Sequence, residues 1–143
     1  MDITSFDGEY RFLSNFYPCG VLLDGQLYPS VEHAYQAAKF DLPLRGPFQH
    51  LRTAGQAKCF AKGMPAERRP DWDLVKVGIM HTLLVQKFSR HDLRAKLLAT
   101  DPFHLEEGNT WNDTFWGTCN GKGKNHLGLL LMKIRDYLKD QPQ

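Results

Sequence analysis

The chain has 143 residues, of which 42% are hydrophobic and 24% are charged, as expected for one compact globular domain. Its formal net charge of +2 is too small to indicate nucleic-acid binding by itself, although a local basic patch is compatible with it. The three cysteines form no C-x-x-C pair and the histidines lack metal-ligand spacing, so we expect reduced thiols and no metal. No stretch resembles a signal peptide or a membrane span. We therefore expect a soluble, cytoplasmic protein.

A β-hairpin is predicted near the start of the chain. The Asp24-Gly25 pair separates the apolar segment 21–23 from Leu27 and Tyr28. Asp-Gly between apolar runs is a strong hairpin signal because both turn positions must tolerate positive φ.

Helices are predicted to dominate the rest of the chain, from capping residues and from apolar side chains at helical spacing. They cover residues 31–40 after the cap Ser30, 53–61 ending at Gly63, 71–88, 92–99, and a last helix from about Asn125. The predicted fold class is therefore α+β: a mostly helical single domain over 1–143 with a small antiparallel sheet.

The first candidate for chemistry is the helix at 31–40. Glu32, Gln36 and Lys39 are spaced at i, i+4 and i+7 and form a row on one face. One interpretation is an ordinary solvated face. The other places Glu32 in a cleft as a general acid or base, with Lys39 tuning its charge or reacting itself.

The second candidate is the segment 106–117, in which Trp111 and Trp116 alternate with acids, amides and glycines. Buried tryptophans usually serve packing. Aromatic faces beside carboxylates and amides also suit a stacked base and a hydroxyl-rich sugar. The residues leave both interpretations open.

The third candidate is the glycine-rich segment 117–125, which leads into the last helix. Backbone N–H groups at a helix start favour an anion, and Lys122 and Lys124 add positive charge. The alternative is a flexible connector, since the phosphate-binding P-loop spacing is absent. Arg68, Arg69 and Lys76 flank the predicted helix at 71–88 and could bind phosphate there. An ordinary solvated helix face is the favoured interpretation. Cys59 is expected to be a small buried hydrophobe.

Several short motifs occur together along the chain. They are Ser-Asn-Phe-Tyr-Pro at 14–18, Tyr-Pro-Ser-Val-Glu-His-Ala-Tyr-Gln-Ala-Ala-Lys-Phe at 28–40, Asp-Trp-Asp at 71–73 with Lys76, Lys-Phe at 87–88, Glu-Gly-Asn at 107–109 before Trp111, Asp-Thr-Phe-Trp-Gly at 113–117, Gly-Lys-Asn-His-Leu-Gly at 123–128 and Leu-Met-Lys-Ile-Arg at 131–135. In these motifs and their order the sequence resembles the NADAR (YbiA-like) family. The resemblance covers nearly the whole chain and favours the functional interpretation of the first two candidates.

The resemblance implies an α+β NADAR fold with a single polar cleft and no cofactor. It implies one of two hydrolytic activities on an N-glycosidic bond. One removes ADP-ribose from the amino group of guanine in nucleic acid, with ADP-ribosylated DNA as substrate and a cognate DNA-modifying toxin as partner. The other cleaves ribosylamino-pyrimidine intermediates of early riboflavin biosynthesis.

Residue roles follow as hypotheses. Glu32 would protonate the departing nitrogen and stabilise positive charge at C1, and Asp113 would orient ribose hydroxyls or activate water. Lys39 would capture the opened sugar as a Schiff base, or else pair with Glu32 or with phosphate. Either Trp111 or Trp116 would stack the base. The full set expected to contact substrate is Asn15, Phe16, Tyr35, Gln36, Trp72, Glu107, Trp111, Trp116, Gly117, Gly121, Gly123 and Asn125.

Between the two substrates, the resemblance favours ADP-ribosylated guanine, because the motifs at 28–35 and 107–113 are more similar to those of free-standing and toxin-associated members. The main rival from another class is a non-catalytic module that binds ADP-ribose or NAD, which would need no carboxylate. A structural partner protein is a further rival.

Overall fold

The computed structural model describes residues 1–142 and confirms the α+β class. The elements in chain order are β1 (Asp2–Ile3), β2 (Pro18–Leu23), β3 (Gln26–Ser30), α1 (Val31–Ala37), α2 (Leu42–Arg45), α3 (Ala54–Lys62), α4 (Trp72–Phe88), α5 (His91–Leu98), β4 (His104–Leu105), β5 (Gly108–Asn109), β6 (Thr118–Cys119) and α6 (His126–Lys139). Short 3₁₀ helices cover Gly8–Leu13, Gly46–His50 and Pro65–Glu67. The chain divides into two compact units, one of residues 15–87 and one that combines residues 1–14 with the segment from Phe88 onward.

The unit of residues 15–87 begins with the predicted hairpin. Strands β2 and β3 pair antiparallel, with Val21 opposite Tyr28. Asp24 and Gly25 at the turn have φ of 48° and 81°, as a two-residue hairpin turn requires. The hairpin prediction is therefore confirmed.

Helix α1 starts at the predicted cap and ends earlier than predicted. The Ser30 hydroxyl accepts a hydrogen bond from the backbone N–H of His33 at 3.1 Å, which satisfies a donor of the first turn. The regular helix stops at Ala37 instead of reaching Phe40. Lys39 and Phe40 continue in tighter turns, with their N–H groups bonded to the carbonyls of Gln36 and Ala37.

Helix α1 is buried on every side. It packs on β2, β3 and α3, and all seven of its residues are buried. His33 fixes its position, because the ring lies 2.7 Å from the Ser30 hydroxyl and 2.9 Å from the Leu51 carbonyl. Burial lowers the pKa of His33, in keeping with a neutral ring that donates to the carbonyl. The solvated-face interpretation of this helix is therefore wrong.

The other unit contains two parallel strand pairs that the sequence analysis did not predict. Strand β1 pairs with β4, and β5 pairs with β6. Within residues 1–142, the predicted small antiparallel sheet is thus one of three two-stranded sheets. Each strand in these two pairs has only two residues, too few for a recognisable alternation of apolar and polar positions.

The helices α3, α4, α5 and α6 begin within one residue of their predicted starts. Thr53 lies just outside α3 and forms a capping box with Gln56. Cys59 in α3 is exposed, which corrects its expected burial. Within residues 1–142, no helix combines the length and the apolar character needed to cross a membrane.

Candidate active site

Glu32 and Gln36 form a buried polar pair on α1. Glu32 is 7% exposed and Gln36 is 4% exposed. The Gln36 amide donates a hydrogen bond of 2.5 Å to a Glu32 carboxylate oxygen. The i, i+4 spacing in the sequence places them one helical turn apart, as predicted. A carboxylate held this way, away from bulk water, has a defined orientation for proton transfer.

Asn15 lies against the start of the same helix. Its backbone carbonyl accepts the N–H of Glu32 at 3.0 Å, and its side-chain amide points toward the sulfur of Met80 at 3.5 Å. The remaining side-chain oxygens of Asn15 and Gln36, Oδ1 and Oε1, are buried and have no hydrogen-bond partner within residues 1–142. A buried acceptor without a partner costs about 1–3 kcal/mol. Both oxygens are therefore suited to accept from a donor on a ligand.

Lys39 lies beside two aromatic rings at the end of the α1 segment. Its ammonium nitrogen is 5.5 Å from the centre of the Tyr35 ring and 6.0 Å from that of Trp72. The two rings contact each other with centroids 5.0 Å apart, and both are buried. Lys39 is therefore held in a fixed place by aromatic faces.

The surroundings of Lys39 favour its neutral, nucleophilic form. Burial is the main cause that lowers the pKa of its amine, and the nearby Glu32 carboxylate opposes this shift. The positive charges of Arg68, Lys58 and Lys76 lower the pKa further. A lysine with a lowered pKa is the type that reacts with carbonyl carbons.

Six of the residues predicted from the sequence therefore lie in the unit of residues 15–87 around α1: Asn15, Glu32, Tyr35, Gln36, Lys39 and Trp72. Phe16 lies beside α3, with a ring carbon about 4.0 Å from where a side chain on Gly55 would begin. The predicted contact of Phe16 with substrate stays a prediction.

The predicted residues from 107 onward lie in the other unit and form a hydrogen-bonded loop. Asn109 organises it: its side-chain oxygen Oδ1 accepts the N–H groups of Trp111 and Asp113, and its side-chain amide nitrogen donates to the Asp113 backbone carbonyl at 2.9 Å. Asp113 in turn accepts the N–H groups of Phe115 and Trp116 through Oδ1. The sequence analysis gave this loop-organising role of Asn109 no place, although the residue belongs to the Glu-Gly-Asn motif at 107–109.

Gly117 is required by a close approach of the chain. A side chain there would collide with the backbone carbonyl of Glu107 and with its carboxylate. The Thr118 N–H donates to that same carbonyl at 2.9 Å. Gly117 therefore brings β6 against Glu107, and its predicted contact with substrate stays a prediction.

Asn125 also has a structural role. Its φ is 52°, in the left-handed region. Its side-chain oxygen accepts the Glu107 N–H at 3.0 Å and its amide donates to the Leu105 carbonyl at 2.9 Å. Both ends of this buried side chain therefore support the Glu107 loop, and its predicted contact with substrate stays a prediction.

The two tryptophans of this loop differ. Trp116 is buried and packs edge-on against Phe115, with ring centroids 4.9 Å apart. Trp111 is 57% exposed. Of the two alternatives, Trp111 is therefore the ring that is more exposed to solvent, and its predicted stacking on a base stays a prediction.

The glycine-rich segment is a packed connection for much of its length. The N–H groups of Lys124, Asn125, His126 and Leu127 donate to backbone carbonyls of residues 114–117. The start of α6 therefore does not offer these donors to an anion, which corrects the expectation based on the helix start. Gly121 and Gly123, with φ of 76° and 149°, stay as predicted contacts beside the exposed Lys122 and Lys124. The single polar cleft likewise stays a prediction.

Lys87 is an ionisable residue whose role the sequence analysis did not foresee. It is fully buried near the end of α4, with its nitrogen 5.5 Å from the centre of the Tyr17 ring. Burial lowers its pKa to about 7, and the nearby Cys19 opposes the shift. Only the Lys87-Phe88 motif in the sequence marked this position.

Comparisons with known proteins agree with the resemblance seen in the sequence. The family model of the NADAR domain matches residues 4–139. The N-glycosidase YbiA of Shigella boydii is 39% identical over 137 residues, which cover 94% of this chain and 85% of that protein. The NMR structure of the E. coli protein YbiA superposes with a TM-score of 0.85 at 35% identity, covering 100% of this chain and 89% of that one.

A riboflavin biosynthesis protein of Vibrio vulnificus is 36% identical over 137 residues. The alignment covers 94% of this chain but only 37% of that longer protein. Because relatives of this chain are named N-glycosidases, the comparisons support an N-glycosidase activity within this family. From the family model and the full-length similarity to YbiA, the chain belongs to the NADAR domain family.

Proposed function

We propose that this protein is an N-glycosidase whose chemistry is carried out around α1, and that its substrate is guanine bearing ADP-ribose on its amino group. The observation that supports the proposal best is the buried set Glu32, Gln36 and Lys39. It combines an oriented carboxylate with an amine of lowered pKa.

In this proposal Glu32 supplies the proton. Cleavage of the bond between ribose C1 and an exocyclic amine requires the nitrogen to leave as a neutral amine. Glu32 in its acid form would give its proton to that nitrogen, and Gln36 keeps the carboxyl group oriented. The carboxylate left behind would then stabilise positive charge at C1.

Lys39 would form the covalent intermediate. The lone pair of its nitrogen attacks C1, the bond from C1 to the base nitrogen breaks, and the base leaves with that electron pair and the proton from Glu32. Loss of a proton from the new nitrogen and opening of the sugar ring give an imine between Lys39 and C1. Water then hydrolyses the imine, releasing the sugar as its aldehyde and regenerating the amine. The lowered pKa of Lys39 supports this role over simple ion pairing.

The unpartnered oxygens of Asn15 and Gln36 suit a base rich in N–H groups. The amino group and ring N–H of guanine are donors that would satisfy them, and leaving such buried groups unpaired against other bases gives discrimination. The family resemblance adds two further contacts to the proposal: Trp111 would stack the base, and Asp113 would contact ribose hydroxyls. A nucleic-acid substrate and a cognate toxin belong to this same proposal.

A second candidate substrate is a ribosylamino-pyrimidine intermediate of riboflavin biosynthesis. The observation that favours it is the similarity to a relative named a riboflavin biosynthesis protein. Its bond from C1 to an exocyclic amine is the same, so the same residues would cleave it. The non-catalytic module that binds ADP-ribose is the remaining alternative.

The test is a comparison of kcat/KM for a guanine-ADP-ribosylated oligonucleotide and a phosphoribosylamino-pyrimidine. Preferential release of ADP-ribose from the oligonucleotide would support the first substrate, and the reverse preference would support the second. Tight binding of ADP-ribose with no cleavage of either compound would overturn the N-glycosidase and favour the binding module.

A further inference from the structure

Three positively charged residues lie around Lys39 at the end of the α1 segment. Lys39 follows α1, Lys58 lies in α3, Arg68 lies in the connection before α4, and Lys76 lies in α4. From the sequence alone, Arg68 and Lys76 were expected to lie on a solvated face of the helix at 71–88. The fold brings them to the lysine that the proposed chemistry uses.

Backbone and ring contacts fix this convergence. The N–H of Arg69 donates to the Lys39 carbonyl at 2.7 Å, so Arg68 is held next to the end of α1. Trp72, whose ring faces Lys39, is followed one helical turn later by Lys76, on the same side of α4. Helix α3, which carries Lys58, packs directly on α1.

The charges of these residues reach Lys39. Arg68, Lys58 and Lys76 each lower the pKa of its amine, whereas Glu32 is the negative group that acts on it in the opposite sense. Like charges held close together repel each other, and a bound anion would relieve this repulsion.

The neighbouring acids leave this positive region accessible. Asp73 pairs with Lys76 at 3.2 Å, but the Asp73 side chain is 75% exposed, so the pair is open to competition from a ligand. Asp71 is engaged by the side chain of Arg69 through two hydrogen bonds of 2.6 and 3.0 Å. Arg69 is thus occupied, while Arg68 beside it is exposed.

We propose that Lys58, Arg68 and Lys76 form the phosphate-binding subsite of this protein, which binds the phosphate carried by the ribose of the substrate. The inference rests on the proposed N-glycosidase and assigns the phosphate to the residues around Lys39 and not to the glycine-rich segment. Phosphate is the matching ligand because its oxygens accept several charge-assisted hydrogen bonds at once.

The test is calorimetric titration of the full chain with ADP-ribose, ribose 5-phosphate and adenosine. The variants are Lys58→Ala, Arg68→Ala and Lys76→Ala, alone and combined. Lys62→Ala on α3 and Arg69→Ala are matched controls, and circular dichroism checks that each variant is folded. Lys76→Arg tests whether charge is sufficient.

Each single variant is expected to bind ADP-ribose about 5- to 20-fold more weakly, as loss of one charge-assisted bond implies. The combined variant should lose more, while the controls and adenosine binding change less than about twofold. A larger loss for ADP-ribose than for ribose 5-phosphate identifies a diphosphate as the ligand, and equal losses identify a monophosphate.

Unchanged phosphate binding in the combined variant would overturn the subsite, and so would a loss confined to Lys122→Ala and Lys124→Ala, which would return phosphate to the glycine-rich segment. Parallel assays of base release separate this inference from the proposed function. If the variants still cleave the substrate and their phosphate binding is unchanged, the subsite alone is overturned. Phosphate binding that depends on the cations, without any cleavage, supports the subsite and overturns the N-glycosidase.

Discussion

At the scale of single residues, Lys39 carries the strongest chemical prediction. A Schiff base between its amine and ribose C1 is converted by borohydride into a stable secondary amine. Wild-type protein mixed with the ADP-ribosylated guanine substrate and borohydride should therefore gain the mass of the reduced sugar adduct, and peptide mass spectrometry should locate it on Lys39.

Lys39→Met should give no adduct, whereas Lys62→Met, which removes an exposed lysine of α3, should be trapped as wild type is. Rapid cleavage by the wild type with no trapped adduct at any lysine would show that Lys39 acts by charge alone.

The pH dependence of activity tests the environment of the same amine. A reactive Lys39 must be unprotonated, so the rate should rise with pH through its lowered pKa, below the ordinary range of lysine. The charge of Lys76 lowers that pKa. In Lys76→Gln the pKa should rise, and the rising part of the kcat profile should move to higher pH. A shift to lower pH, or a profile identical to that of Lys62→Gln, would contradict this electrostatic coupling.

At the scale of elements, the loop built on Glu107 depends on a glycine that no side chain can replace. In Gly117→Ala the added carbon would collide with the Glu107 carbonyl, and the loss in free energy of unfolding should be about 1–3 kcal/mol. Gly78 in α4 is the matched control because a side chain there meets nothing within 4 Å.

Gly78→Ala should stabilise the protein by about 0.5–1 kcal/mol, since glycine disfavours a helix interior. Chemical denaturation measures both changes. Equal effects of the two substitutions would mean that the strands at Glu107 and Thr118 are not held as closely as described.

Local signals in the sequence predicted the helix starts and the hairpin turn well. They predicted poorly how deeply each element is buried. The caps Ser30 and Thr53 and the Asp24-Gly25 turn depend on neighbouring residues only, so they could be recognised. Helix α1 is buried on all sides. Helical spacing separates a buried face from an exposed face, so it cannot identify a helix that has no exposed face. Glu32 was chosen by family resemblance, since the spacing alone favoured solvent.

Part of the candidate site could not be predicted, because some side chains whose type suits ligand binding make contacts within the protein. Asn125 and Trp116 suit ligand contacts by residue type, but one joins two backbone segments and the other packs with Phe115. The cluster of Lys58, Arg68 and Lys76 arises from three segments separated in sequence, and only the packing of α1 with α3 and the approach of Arg69 to Lys39 unite it.

At the scale of the whole molecule, Lys87 makes stability depend on pH. Burial lowers its pKa from an ordinary 10.5 to about 7, so between these values the unfolded chain binds a proton that the folded chain lacks. The contribution of Lys87 therefore makes the free energy of unfolding rise with pH across this window, by up to about 1.4 kcal/mol per pH unit. Below about pH 7 the amine is protonated in both states, so the cost of burying its charge is largest there and no longer changes with pH.

Lys87→Met keeps the volume and removes the charge, so its stability should change less with pH between about 7 and 10. Lys96→Met, at an exposed position of α5, should retain the wild-type dependence. Denaturation midpoints measured across this range check the difference. A slope that is the same in wild type and Lys87→Met would contradict a neutral buried amine.

The central claim is that Glu32 and Lys39 cleave an N-glycosidic bond. The most direct measurement is the single-turnover rate of base release from both candidate substrates by wild type, Glu32→Gln and Lys39→Met, with Glu67→Gln and Lys62→Met as matched controls. We predict at least about a 100-fold loss in each of the first two variants, the scale of an acid–base or nucleophilic residue, and wild-type rates in the controls. Wild-type rates in Glu32→Gln and Lys39→Met would contradict the account and place the chemistry elsewhere.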